Sequence, residues 1–198
     1  MNAPLVLPAR LGDGRVLLRH WRDEDVAQLL AGFGHPSVLA CSWALTRPYT
    51  QGDARAYLAA DRAAHRAGLE VGFAIVEPSD PGRLFGGGSL YDVDREQRRA
   101  SIGYWLAPAA RGHGYATAAV VLAAEWALSG TGGGGGLGLE RLELTCAPDN
   151  HPSRAVAERA GFAYEAHLRD HITFKGRPRD SLLYARLSGA SGRDAPDG

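Results

Sequence analysis

A chain of 198 residues, 45% hydrophobic and 22% charged, is long enough to form one domain with a substantial buried core. Its 22 basic residues balance 22 acidic ones, so no global field draws it to nucleic acid or to an anionic membrane surface. The two cysteines, Cys41 and Cys146, are too few for a disulfide framework, and no apolar run reaches the length of a membrane span, so the expectation is a cytoplasmic protein.

Residues 1–14 read as a Pro-containing arm, 15–188 as a single domain, and 189–198, which lacks large apolar side chains, as a disordered tail. "RVLLRHW", Arg15 to Trp21, reads as a first strand, Asp23 as the N-cap of a short helix in "RDEDVAQLLAGF", and "GHPSV" as a turn. Thr50 and Gly68 bound an Ala-rich helix over Thr50 to Arg66. Strand-like runs at 70–77, 83–93 and 98–106 follow at hairpin spacing and predict a meander. Pro108 and the glycines of "APAARGHG" end the third run. A helix begins near Gly112, with Tyr115, Ala119, Leu122 and Trp126 on one stripe. The strand 140–147 comes next, then a helix from Asn150 to Ala160 stopped by Gly161. Two last strands, about Phe162 to Phe174 and Ser181 to Leu187, are joined by the turn "KGRPRD". The helical crossover between 98–106 and 140–147 makes those two strands parallel, so the fold class is mixed α+β.

Two glycine segments compete for a phosphate. "TGGGGGLGL" contains Gly133, Gly135 and Gly138 at G-x-G-x-x-G spacing, a dinucleotide fingerprint when a strand enters it and a helix leaves it. Here a helix enters and a strand leaves, so the run reads as a loose connector and as the internal loop expected to move most. "GYWLAPAARGHGYATAA" has the right order. Gly112 and Gly114 admit a close ligand, Arg111 adds charge, and the backbone N–H groups from about Arg111 to Ala116 lie at a helix start without intrahelical partners. No G-x-x-x-x-G-K-[ST] occurs, which disfavours a kinase or ATPase. Downstream, "NHPSRAVAERAGF" places Asn150 as an N-cap with Ser153 one turn along on the same face.

These two segments together resemble the acetyl-CoA-binding core of the GCN5-related N-acetyltransferases (GNAT), and within them the branch of ribosomal-protein N-terminal acetyltransferases (RimJ/RimL-like). "LLRHWRDEDVAQLL", "GHPSV" and "GFAYEAHLRD…GRPRDSLLYARL" extend the resemblance over about residues 15 to 188. It implies a mostly antiparallel sheet whose parallel pair splays around the pantetheine arm of acetyl-CoA, the expected cofactor. Trp105 and Leu106 would offer backbone hydrogen bonds to the arm. The pyrophosphate would sit on the N–H groups of Arg111, Gly112, His113, Gly114, Tyr115 and Ala116, with Thr117 beside them. Asn150 would bond the pantetheine, Ser153 would face the thioester sulfur, and Arg154 would lie near the cofactor.

The implied reaction is attack by a neutral amine on the thioester, which needs a base, an oxyanion donor and an acid for the leaving thiolate. The N–H near Leu106 is the expected oxyanion donor. Ser153 is the expected acid, because Ala157 stands where many relatives carry Tyr. Relatives often carry Glu where this chain has Ser101, so the base lies elsewhere: Asp92, Glu143, Asp170, His171 and Asp180 are candidates, Glu143 and Asp180 foremost. Ala118 also departs from a frequent Glu. On a strand His167 and His171 would stand roughly 13 Å apart, too far for one metal ion, and no metal site is expected. Cys146 reads as a buried structural thiol. The expected partner is an amine acceptor, with a protein N-terminus, an amino sugar and a polyamine all open, and no nucleic acid or membrane; a homodimer stays open. The alternative is a non-catalytic CoA-sensing or protein-binding module on the same fold.

Overall fold

A computed structural model describes residues 3–41, 48–131 and 135–189. Among them, eight strands form one sheet in the order β1-β2-β3-β4-β5-β6-β8-β7. The short strands β1 (Leu11–Gly12) and β2 (Leu17–Arg19) start the sheet, and β3 (Val71–Val76), β4 (Leu84–Asp94) and β5 (Arg99–Leu106) form the expected antiparallel meander. β6 (Arg141–Cys146) runs parallel to β5, as the crossover requires. β7 (Ala163–Phe174) and β8 (Arg177–Leu187) close the other edge as a hairpin, with β8 between β6 and β7.

The helices α1 (Val26–Phe33), α2 (Pro36–Leu39) and α3 (Gln51–Ala67) precede the meander; α4 (Tyr115–Leu128) and α5 (His151–Arg159) follow β5 and β6. Strand alternation divides the buried residues between two clusters. Phe73, Ile75, Leu90 and Ile102 meet Ala119, Val120, Ala123 and Ala124 of α4 on one face. Ala74 and Val76 meet Leu29 of α1 and Leu58 of α3 on the other. The alanines bring α4 close to the sheet. Its buried face is Ala116, Ala119, Val120, Ala123, Ala124, Trp126 and Ala127, while Tyr115 and Leu122 of the expected stripe are only half-buried.

Several local expectations change. The first strand shrinks to Leu17–Arg19, and Leu5 and Leu7 from the N-terminal arm are buried in the core. Asp23 does not cap α1. A single 3₁₀ turn, Asp23–Asp25, intervenes, and Asp25 accepts from the Arg22 N–H at 2.8 Å. The buried Asp25 carboxylate also makes a bidentate pair with Arg19, both bonds 2.7 Å, and Arg19 reaches the carbonyl of Pro81. "GHPSV" is not a simple turn, because Pro36 starts α2 and the His35 side chain accepts from the Ser37 N–H. α3 follows expectation: Thr50 and Asp53 exchange a capping box and Gly68 ends the helix at φ +69°. The loop expected at 175–180 contracts to Lys175-Gly176, whose φ values of +50° and +79° suit a two-residue hairpin turn. Pro178 fits inside β8 because the strand there pairs only with β7.

The glycine run divides. Gly132 to Gly134 lie outside the described residues, including Gly133 of the fingerprint. The rest is tied to the end of α4: Trp126 Nε1 donates to the Gly135 carbonyl at 3.1 Å and Gly138 N to the Ser129 carbonyl at 2.7 Å. A Cβ at Gly136 would lie 2.3 Å from the Ser129 oxygen, so the glycine there permits a backbone contact.

Candidate active site

β5 and β6 pair only from Arg99↔Arg141 to Ser101↔Glu143; past that rung no pairing continues. The two strands therefore flank a cleft of about 2060 Å³. Tyr104, Trp105 and Leu106 line it from β5, Leu144, Thr145 and Cys146 from β6, and Asn150 and Ser153 from the start of α5. The loop Arg111–Gly114 and the first turn of α4 close one end.

Pro108 opens a 3₁₀ turn after β5, and Gly112 and Gly114 then take φ of +81° and +78°, which turns the chain into α4 with Gly114 as N-cap. The first intrahelical bond runs from Ala118 N to the Gly114 carbonyl. Among the described residues, the N–H groups of Gly112 through Thr117 thus have no backbone partner, and they meet at the positive end of the helix dipole. Arg111 departs from expectation, because its N–H donates to the Pro108 carbonyl at 3.2 Å and only its side chain is available. A second cation stands here that sequence reading missed: a Cβ on Gly114 would lie 3.8 Å from Arg15 Nη1. Tyr115 stacks on Phe85 with centroids 4.2 Å apart, and His113 stacks on Tyr115, which fixes the loop from below. Exposed glycines, free N–H groups and two guanidinium groups suit a polyphosphate.

Across the opening, the Tyr104 hydroxyl and Ser153 Oγ are 3.1 Å apart. Burial pushes the Tyr104 hydroxyl up to about 12, over the smaller opposite effect of Ser153, so it stays protonated through the neutral range. Asn150 Oδ1 caps α5 by accepting from the Ser153 N–H at 3.2 Å, and its Nδ2 stays available as a donor. Burial also pushes the Cys146 thiol up, which disfavours a thiolate at this point of the cleft.

The expected site residues separate into two groups. Trp105, Leu106, Arg111, Gly112, Gly114, Tyr115, Ala116, Thr117, Asn150 and Ser153 all line the cleft. His113 is exposed and Arg154 half-buried, neither is part of the lining, and Arg154 engages Tyr184 and Glu158. Of the candidate bases, Glu143 lies outside the cleft lining and pairs with Arg141 at 2.6 Å; Arg141 also holds Glu165. Asp180 accepts from the Asp170 N–H and pairs with His167 Nε2 at 2.6 Å, contacts that hold its carboxyl below the usual range. Asp170 and His171 also lie outside the lining, and only Asp92 of the five is part of it. Glu70, which sequence reading did not consider, lines the cleft beside Asp92, with the Ser89 hydroxyl as a polar neighbour.

Residues 15–163 match the family model of the acetyltransferase (GNAT) domain. The chain belongs to the GNAT acetyltransferase family. It is 37% identical to YdaF of Bacillus subtilis (strain 168) over 120 residues, 61% of this chain and 60% of that protein. It is 31% identical to the ribosomal-protein-serine acetyltransferase of Escherichia coli (strain K12), over 62% of this chain and 64% of that one. The chain thus spans about three fifths of the length of these relatives. Among solved structures, RimJ of Mycobacterium smegmatis in complex with CoA-disulfide superposes with a TM-score of 0.80 at 27% identity, over 96% of this chain and 88% of that one. The two chains therefore share a fold.

The other end of this GNAT cleft lies between α2 and the β7–β8 hairpin. Ser37, Val38 and Cys41 around α2 face Ile172, Phe174 and Arg179 of the β7–β8 hairpin. Lys175 Nζ donates to the Leu39 carbonyl at 2.6 Å, which ties the hairpin tip to α2, and the Arg179 guanidinium lies 3.7 Å over the Phe174 ring. Among the described residues no helix is long and apolar enough to cross a membrane.

Proposed function

We propose that this chain is an acetyl-CoA-dependent N-acetyltransferase that acetylates a primary amine, either a protein N-terminus or a small molecule. The observation that carries the reading is the run of free N–H groups from Gly112 to Thr117 at the mouth of the β5–β6 opening. The names of the relatives and the CoA bound by the RimJ neighbour support it.

The N–H groups of that run, with the Arg111 and Arg15 side chains, bind the pyrophosphate. The backbone of Trp105 and Leu106 and the Asn150 amide orient the pantetheine arm. Bound acetyl-CoA supplies an acetyl thioester whose C–S bond breaks as the acetyl group passes to nitrogen. A main-chain N–H beside Leu106 donates to the developing oxyanion. The Tyr104–Ser153 pair holds a proton ready for the departing sulfur, with Tyr104 protonated throughout the working pH range.

Thiol release with acetyl-CoA and a panel of amines, a serine-initiated peptide and spermidine among them, tests the proposal. Acceptor-dependent release supports it. Tight CoA binding by calorimetry with no release for any amine favours the alternative, a CoA-sensing module, for which Ser101 in place of the frequent Glu is the motivating residue.

A further inference from the structure

Resting on the acetyltransferase reading, we infer that Glu70 receives the proton of the acceptor ammonium, replacing the carboxylate that Ser101 lacks. The sheet register carries this. Val71 pairs with Leu90 and Tyr91 with Ser101, so Glu70, Tyr91 and Ser101 occupy one rung across β3, β4 and β5 and share a face. At the usual strand spacing Glu70 is roughly 10 Å from Ser101. Tyr91 stands on the rung between them, with the Ser101 and Thr145 hydroxyls as its polar neighbours, so the Ser101 side is lined by neutral hydroxyls.

Glu70 points its chemistry toward the next rung. Its neighbour Ser89 pairs with Gly103, the residue before Tyr104. Gly103 leaves that rung open: an added Cβ would meet only Tyr91, at 3.4 Å. The corresponding space at Gly72 is already taken, because Asp61 Oδ1 accepts the Gly72 N–H at 2.7 Å. Asp61 is thereby committed to the backbone, while Glu70 has a neutral hydroxyl, that of Ser89, as its neighbour. The ionisable groups around Glu70 are Tyr57 and Asp61 from α3 and Tyr91 and Asp92 from β4. None is basic, and burial followed by Asp61 and Asp92 pushes the Glu70 carboxyl up. An ammonium group is the counterion such a pocket selects.

In the step, one N–H bond of the ammonium breaks and its proton goes to the Glu70 carboxylate, directly or through Ser89. The freed lone pair forms the C–N bond to the thioester carbonyl carbon, and the C–S bond breaks. The sulfur takes a proton from the Tyr104–Ser153 pair, which regains it from the new amide nitrogen, and Glu70 returns its own proton to water.

The test compares wild type, Glu70→Gln and Glu70→Asp by thiol release with acetyl-CoA and the serine-initiated peptide or spermidine, whichever wild type acetylates. Glu70→Gln should lower kcat/KM about 10²–10⁴-fold. It should also abolish the acid limb of the pH profile, which in wild type rises with pH above the ordinary carboxylate range. Glu70→Asp should recover part of the rate, and CoA affinity by calorimetry should be unchanged in both. Adding Ser101→Glu to Glu70→Gln should restore activity in part. A Glu70→Gln enzyme with wild-type kcat/KM and acid limb overturns the assignment of Glu70. A wild type that binds CoA and acetylates no amine overturns instead the acetyltransferase reading on which it rests.

Discussion

Tyr104 touches Ser153 across the opening of the sheet, and each hydroxyl can donate to the other. Replacing Tyr104 with Phe keeps the ring packed and removes the donor, so kcat should fall by about 10²-fold while the Kd for CoA stays as in wild type; stopped-flow thiol release and calorimetry separate the two. Ser153 was legible because Asn-x-x-Ser is a local spacing. Tyr104 was not, since the contact joins residues 49 apart in sequence and exists only because β5 and β6 part. Glu143 shows the converse: its strand was read correctly, yet the half-buried side chain pairs with Arg141 two residues back on β6, and Arg141 also holds Glu165 on β7, a contact that no local spacing records. A second residue-scale prediction concerns Asp25, which satisfies both Arg19 and the Arg22 N–H in a buried setting. Asp25→Ala leaves the Arg19 charge uncompensated and should cost about 3–5 kcal/mol in urea denaturation, without altering CoA affinity of the folded protein.

At the level of elements, the two glycine loops make opposite demands. Gly114 would bring a Cβ only into ordinary contact with Arg15 Nη1 and needs glycine for its left-handed backbone, whereas Gly136 needs glycine because the Ser129 carbonyl occupies the place of a Cβ. Gly114→Val should therefore force the N-cap out of shape, which by about 1–2 kcal/mol of backbone strain weakens CoA about tenfold or more while leaving the core intact. Gly136→Val should lower the thermal midpoint and leave CoA affinity alone. The order of strand and helix around each run was read as the structure has it: Gly114 leads into α4, and the run ending at Gly138 leads into β6. The tether of Trp126 to Gly135 was invisible, since nothing in a glycine repeat records which helix end its carbonyls meet. The same holds for Lys175-Gly176, where the sequence marks a turn but the two-residue length follows from the pairing of β7 with β8.

For the molecule as a whole, the cleft is built between elements that are separate in sequence: β5, the loop before α4, β6 and the start of α5. Periodicity and the crossover rule were enough for the parallel pair, but where that pair stops is set by tertiary packing, and with it the width of the site. A ligand held by all of these elements must stabilise the native state by linkage, because the unfolded chain presents no such set of N–H groups. With CoA at a hundred times its Kd the stabilisation is about 2.7 kcal/mol. For a chain of this size that corresponds to a rise in Tm of about 5–11 °C. Differential scanning fluorimetry should show this rise for wild type, the same rise for Asp25→Ala from its lower starting point, and a much smaller one for Gly114→Val at equal CoA. An equal shift in all three would mean that CoA is held by elements other than the loop before α4, and the absence of a shift in wild type would remove the cleft as its site.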